Sequence, residues 1–169
     1  MTQTLHFRDF SEDDVPLLQR YLNDPLVTQY LTARIPQPYT EKDAQWWVNE
    51  GSKNGWVKAI TFNDQFVGTV GARPLSYDSS RCAEIGYWLG REHWGKGIAT
   101  AAVNYLTDYV FERTDIVRLQ ADVYRGNDAS ARVLEKCGYV REGVLRKMIY
   151  KNERFYDCLL YARIKASAE

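Results

Sequence analysis

Apolar and polar positions change period several times along the chain, and each change marks an element. Leu5 and Phe7 alternate with polar neighbours, the period of a first strand. Ser11, with Asp14 three residues later and then Val15, Leu18 and Leu22, predicts a capped helix that Asp24-Pro25 breaks. A short apolar segment follows through Val27, Tyr30 and Leu31, and Pro36 and Pro38 make residues 33–39 a loop or extended stretch. Thr40, with Asp43 three positions on, starts another helix carrying Trp46, Trp47 and Val48. Residues 56–62 read as a strand, Asn63-Asp64 as a turn, and Gln65 to Ala72 as the return strand of a hairpin. After a turn-rich break from Pro74 to Ser80, the largely apolar Cys82 to Leu89 has the pattern of a strand covered on both faces. Residues 95–112 give the clearest helix, with Ile98, Ala101, Ala102, Tyr105, Leu106, Tyr109 and Val110 on one side. Val117, Leu119, Ala121 and Val123 then alternate with polar or amphipathic residues as a half-buried strand. A short helix from Asp128 to Lys136 stops at Gly138, and strand signals follow near Tyr139 and from Phe155 to Ile164. The whole reads as one mixed α/β domain over residues 1–169, with no repeat or linker.

Composition narrows the function. The chain has 169 residues, and 22 Lys plus Arg balance 22 Asp plus Glu, so the formal net charge is zero. Such a balance lacks the electrostatic footprint of nucleic-acid or anionic-membrane binders, so neither partner is expected. No apolar run approaches the roughly 18 residues of a membrane span, and no basic stretch followed by an apolar core opens the chain, so no signal peptide is expected. Cys82, Cys137 and Cys158 are widely spaced and odd in number. With only His6 and His93 beside them, no metal site is expected, and a reduced cytoplasmic protein is the simplest reading.

Chemical content concentrates in two windows. In the first, Trp88 to Thr100, an apolar strand ends, a short loop holds Gly95 and Gly97, and the long helix begins. Glycines there let the backbone approach a ligand with N–H groups turned outward. The helix N-terminus and Lys96 favour an anion, and no carboxylate lies between His93 and Thr107. The alternative is a strand-to-helix turn relieved by glycine. The pattern matches neither Gly-x-x-x-x-Gly-Lys-Ser/Thr nor Gly-x-Gly-x-x-Gly, which argues against a nucleotide-triphosphate or dinucleotide enzyme. In the second window, Asn127 is placed to cap the helix it precedes, and Ser130 lies in that helix's first turn.

Together, Ala83-Glu84-Ile85-Gly86-Tyr87-Trp88-Leu89, Trp94-Gly95-Lys96-Gly97-Ile98-Ala99-Thr100 and Asn127-x-x-Ser130-x-x-Val133-Leu134-Glu135-Lys136-x-Gly138-Tyr139 resemble the GNAT superfamily of N-acetyltransferases. Within it the chain is similar to the RimJ/RimL branch, whose best-known members acetylate ribosomal-protein N-termini. The likeness covers nearly the whole chain, including Pro36-x-Pro38-Tyr39-Thr40 and Asp157-x-x-x-Tyr161. It implies a central, mostly antiparallel twisted sheet of about six or seven strands flanked by about four or five helices. It implies acetyl-CoA as the acetyl donor, its pyrophosphate on the amides around Gly95, Lys96, Gly97, Ile98, Ala99 and Thr100, and its pantetheine arm along Tyr87, Trp88 and Leu89. Main-chain amides of that strand would also stabilise the oxyanion formed on attack of an amine. Asn127 would contact the pantetheine arm and Ser130 would face the sulfur. Trp94 departs from the Gln or Arg that usually opens this loop.

Acyl transfer needs a neutral amine and benefits from a proton on the departing thiolate. Glu84 is the one carboxylate in the strand from Cys82 to Leu89, and burial would raise its pKa towards that of a useful base. A strand-edge salt bridge, or contact with substrate without proton transfer, are its alternatives. Ser130 is the candidate proton donor to the thiolate, with positioning of the sulfur as its simpler role; Tyr139 ranks below it. His93 reads as a solvated loop residue, one of Trp46 and Trp47 as core and the other as a possible wall of the acceptor site. Cys137 reads as a packed small residue, and Asp157 and Tyr161 either reach the acceptor end of the groove or form a ladder-face pair. The expected acceptor is a protein N-terminus, ribosomal or other, or a small-molecule amine, with polyamines disfavoured because residues 21–40 hold no acidic cluster beyond Asp24. A non-catalytic acyl-CoA-binding or sensor module is the rival reading, and monomer and homodimer both remain open.

Overall fold

The alternation at Leu5 and Phe7 forms β1 (Leu5–Arg8), and the signal at Ser11 closes a 3₁₀ turn, Glu12–Asp14, ahead of α1 (Val15–Leu22). Asp14 is buried there with its acceptors filled: Arg8 donates to both carboxylate oxygens at 2.7 and 2.8 Å and the Ser11 N–H donates at 2.9 Å. The computed structural model describes residues 3–168. Pro25 starts a single-turn helix, α2 (Pro25–Thr28), and Thr40 with Asp43 forms a reciprocal cap on α3 (Glu41–Asn49). The hairpin of β2 (Trp56–Phe62) and β3 (Gln65–Pro74) turns through Asn63 and Asp64, both at positive φ. β4 (Cys82–Leu89), α4 (Ile98–Arg113), β5 (Arg118–Tyr124), α5 (Asp128–Lys136), β6 (Val140–Lys151) and β7 (Arg154–Ile164) complete the domain.

The strands form one seven-stranded sheet in the order β1-β2-β3-β4-β5-β7-β6. Every neighbouring pair is antiparallel except β4 and β5, which run parallel because α4 carries the chain back between them. α4 and α5 cover one face, where Ile85, Leu89, Val103, Leu106, Leu119, Val123, Leu134 and Tyr161 share a core. On the other face α1 and α3 pack Leu18, Tyr21, Leu22 and Val48 against Val57, Ala59 and Phe66. That second layer packs chiefly on β2 and β3, and beyond it the segment after α2 reaches β5 through Leu31 and Tyr124. Burial along β4 alternates, with Ala83, Ile85 and Leu89 buried and Glu84 and Gly86 exposed. This corrects the expectation of a strand covered on both faces.

β6 is much longer than the signal near Tyr139 implied. It is one of the sheet's two edge strands, and Val140, Val144, Leu145, Met148 and Tyr150 are exposed, so no buried face imposes an alternation to read. Its turn into β7 uses Asn152 and Glu153 at positive φ without a glycine. No helix among the described residues is long and apolar enough to cross a membrane.

Candidate active site

β4 and β5 pair through only three positions, Cys82, Ala83 and Glu84 with Arg118, Leu119 and Gln120. Beyond them β4 stays with β3 as far as Leu89 opposite Gly68, while β5 stays with β7 as far as Tyr124 opposite Cys158. The strands thus splay into a V, and one edge of β4 after Glu84 and one edge of β5 after Gln120 have no ladder partner. Free backbone donors and acceptors line both arms of the V.

At the wide end of the V stands the glycine loop. Gly95 and Gly97 hold φ of +73° and +75°, and no atom lies within 4 Å of where a Cβ would stand on either. Gly97 is the N-cap of α4, with no side-chain hydrogen bond to the cap and no acidic residue in the first turn. The earliest turn contact is the Ala101 N–H to the Gly97 carbonyl, so the N–H groups of Ile98, Ala99 and Thr100 face outward without helical acceptors. Ile98 itself is buried, so this residue offers only its amide. The open space, the outward amides and the positive helix end fit a pyrophosphate. Trp94 donates its indole N–H to the Leu89 carbonyl at 3.0 Å, tying the loop to the end of β4. The aromatic thus anchors the loop. Lys96 leans away, its ammonium 6.0 Å from the centre of the Phe62 ring.

The inner wall of the V is formed by α5. Asn127 caps this helix, its side chain accepting from the Ser130 N–H at 3.3 Å. Ser130 Oγ lies 2.7 Å from the Tyr87 hydroxyl, which is also 3.2 Å from the Ser130 carbonyl. Tyr87 thus links β4 to α5 across the opening, and burial pushes its phenol well above the usual range. The alternation of β4 points Tyr87 to the same face as Ile85 and Leu89, which is the signal that marks its side chain as well as its backbone. Tyr139, the lower-ranked acid, faces away: its hydroxyl is 2.8 Å from Thr107 Oγ1 in the core, and burial pushes it up to about 12.

Glu84 is on the opposite, open face, at the point where the strands part. It has no hydrogen bond or ion pair among the described residues, which removes the salt-bridge reading. Desolvation raises its pKa first, then the charge of Asp122, against opposing effects of Arg34 and Arg73. The group is solvent-accessible, so enclosure by its neighbours rather than full burial shifts it. Asp122 was not singled out in the sequence, yet it occupies the polar side of the β5 alternation two residues past Glu84's partner Gln120.

Several side chains do not join this centre. His93 is buried, not solvated: its Nε2 lies 3.2 Å from the Tyr21 hydroxyl because the 3₁₀ turn Arg91–His93 tucks beneath α1. Trp47 packs edge-on against Phe10, whereas Trp46 remains exposed. Cys137 is buried, its thiol 3.4 Å from the Thr100 carbonyl, which holds α5 against the first turn of α4. Tyr161 donates to Glu135 at 2.9 Å beneath α5, while Asp157 accepts from the Lys147 N–H at 2.9 Å near the hairpin end. They form no functional pair. Lys151, unremarked in the sequence, donates to the carbonyls of Thr28 and Leu31 at 2.6 and 2.7 Å and holds the end of α2 over the tip of β5.

Residues 4–140 match the family model described as an acetyltransferase (GNAT) domain. The chain is 33% identical over 172 residues to an uncharacterised N-acetyltransferase, p20, of Bacillus licheniformis, covering 97% of this chain and 94% of that protein. It is 30% identical to the ribosomal-protein-serine acetyltransferase of Escherichia coli (strain K12), over 66% of this chain and 63% of that one. Among solved structures, RimL, a ribosomal L7/L12 α-N-protein acetyltransferase in complex with coenzyme A, superposes with a TM-score of 0.84. That match has 25% sequence identity and covers 96% of this chain and 94% of the other.

Proposed function

The chain belongs to the GNAT family of acetyltransferases, and on that premise we propose that it moves an acetyl group from acetyl-CoA to a primary amine by direct attack in a ternary complex. The acceptor is the α-amine of a protein N-terminus or a small-molecule amine. The observation that carries the reading is the splay of β4 from β5, with an anion cradle and a hydroxyl pair on one side and an unpaired carboxylate on the other.

The amides at Gly95, Lys96, Gly97, Ile98, Ala99 and Thr100 hold the pyrophosphate, and the edge of β4 along Tyr87, Trp88 and the Leu89 N–H holds the extended arm as an added strand would be held, the Leu89 carbonyl being taken by the Trp94 indole. When bound, acetyl-CoA supplies the activated thioester. N–H groups on that edge face the position where negative charge develops on the acyl oxygen. Glu84 takes a proton from the incoming amine through a water. An α-amine, with a pKa of about 8, is partly neutral near pH 7.5, whereas a lysine amine of about 10.4 is not, which favours N-terminal acceptors. Ser130 donates a hydrogen bond to the departing sulfur. Tyr87 fixes the Ser130 hydroxyl and keeps its own proton, since its raised pKa makes it a poor acid. Asn127 positions the start of α5 beside the arm.

We read residues 1–169 as one such domain, working with unpaired thiols at Cys82, Cys137 and Cys158 in the cytoplasm. A non-catalytic acyl-CoA-binding module would need neither an unpaired Glu84 nor the Tyr87–Ser130 pair. Calorimetric titration with acetyl-CoA, with ATP as control, followed by assay on peptides with free Ala or Ser N-termini, tests the proposal. Selective acetyl-CoA binding with peptide turnover is expected. Binding without turnover of any amine would favour the module, and no binding would refute both.

A further inference from the structure

Two arginines flank Glu84 without a partner of their own. Arg73 is directly opposite Glu84 in the β3–β4 register, so the two side chains share the open face of the sheet. Arg34 comes from the loop between α2 and α3, which is held over the V by Lys151 on the Leu31 carbonyl and by the Tyr124 hydroxyl, 3.4 Å from the same carbonyl. Both side chains are exposed, and among the described residues neither makes a side-chain hydrogen bond or ion pair. Arg73 stands beside Glu84 by register, and the charges of both arginines act to lower the Glu84 pKa, with no ion pair between either and Glu84 among the described residues.

The acceptor face is therefore polarised. Glu84 and Asp122 stand at the mouth of the V, where the amine must arrive, and two guanidiniums with open donors stand next to them. A polycation would meet the carboxylates but also both arginines, and like charges brought together oppose binding. A carboxylate one residue's length from the amine would satisfy a guanidinium fork while the amine reaches the carboxylates. We infer that Arg73 and Arg34 select acceptors bearing a carboxylate beside the reacting amine and reject polyamines. This rests on the acetyltransferase reading. The carboxylate is either the α-carboxylate of a free amino acid or an acidic side chain close behind a peptide's N-terminus.

The test compares kcat/KM, corrected for the fraction of neutral amine and read by release of the CoA thiol. One pair is alanine against alaninamide, a second is Ala-Asp-amide against Ala-Asn-amide, and spermidine is the polycationic probe. The wild-type protein should prefer the acid in one of the pairs by about tenfold or more, the size expected for a charge-assisted hydrogen bond, with spermidine slowest. The pair that shows the preference identifies the source of the carboxylate. In the Arg34→Gln/Arg73→Gln double variant the preference should fall towards one, and Arg73→Glu should invert it and speed spermidine. Retained acetyl-CoA affinity, read at the glycine loop on the other side of the sheet, shows that the variants are folded. Equal turnover of acid and amide in both pairs, spermidine fastest, no turnover of any acceptor despite acetyl-CoA binding, or an unchanged preference in the double variant overturns the assignment. Absence of acetyl-CoA binding together with absence of turnover removes the transferase reading itself.

Discussion

Gly97→Ala separates the stability of the glycine loop from its function. Gly97 holds φ +75° and ψ 5° at the start of α4, and an added Cβ would meet no atom within 4 Å. The substitution therefore introduces no clash, and its cost to the free protein is that of a left-handed L-residue, roughly 1–2 kcal/mol. For a chain of this size that lowers the melting temperature by about 2–4 °C per kcal/mol. In the proposed complex the phosphate fills the open space at this helix start, and the added Cβ would compete for it. Displacing a phosphate from one amide there loses a hydrogen bond to a charged group, about 1.5–3 kcal/mol, or roughly 10- to 150-fold in affinity. Gly86→Ala is the companion variant: that site is equally open but lies at ordinary φ on the Glu84 face of β4. It should leave acetyl-CoA affinity intact and the melting temperature unchanged or raised. Titration calorimetry with acetyl-CoA and thermal melts of both variants make the comparison. If Gly97→Ala binds within threefold of wild type, or if both variants weaken binding equally, the amides of this loop do not hold the donor.

Other variants test the remaining parts. Glu84's carboxyl is held above its usual value by desolvation and then by Asp122, so its contribution to stability is present while it is protonated and is lost as pH rises through the folded pKa. Glu84→Gln should therefore melt higher than wild type at neutral pH but not near pH 4, and should lose turnover and the acidic limb of the pH–rate profile; an unaltered profile excludes it as the base. Tyr87→Phe removes the hydroxyl 2.7 Å from Ser130 Oγ, and it should cost about 1 kcal/mol of stability and several-fold in kcat with acetyl-CoA affinity kept. An unchanged kcat would make that bridge purely structural. Asp14→Ala takes the acceptor from the Ser11 N–H and from Arg8, whose guanidinium water can still reach, and should cost about 1–3 kcal/mol in urea unfolding without altering kcat, an unchanged stability counting against this network.

The elements that were legible in the sequence are those with a buried face to pattern them. α4 was visible because Ile98, Ala102, Leu106 and Val110 recur at helical spacing towards the core, and β5 because Leu119, Ala121 and Val123 alternate into it. Caps at Thr40 and Asn127 were visible because capping is a local hydrogen bond. β6 escaped because an edge strand exposed along its length has no periodic constraint, and His93 was misread because its burial depends on Tyr21, 72 residues earlier.

For the site, the local order of residues marks an anion cradle and an isolated carboxylate. Glycine at positive φ, a helix start without acid and an Asn cap are properties of neighbouring residues, and they are written in neighbouring residues. Folding alone sets where β4 and β5 part after Glu84, brings Tyr87 to Ser130, and puts Arg73 opposite Glu84 with Asp122 on the neighbouring strand. Each of these depends on a parallel pairing made across the α4 crossover, or on strands and loops distant in sequence. Periodicity records which face of an element is apolar, but not which neighbour that element will have or where the two will separate.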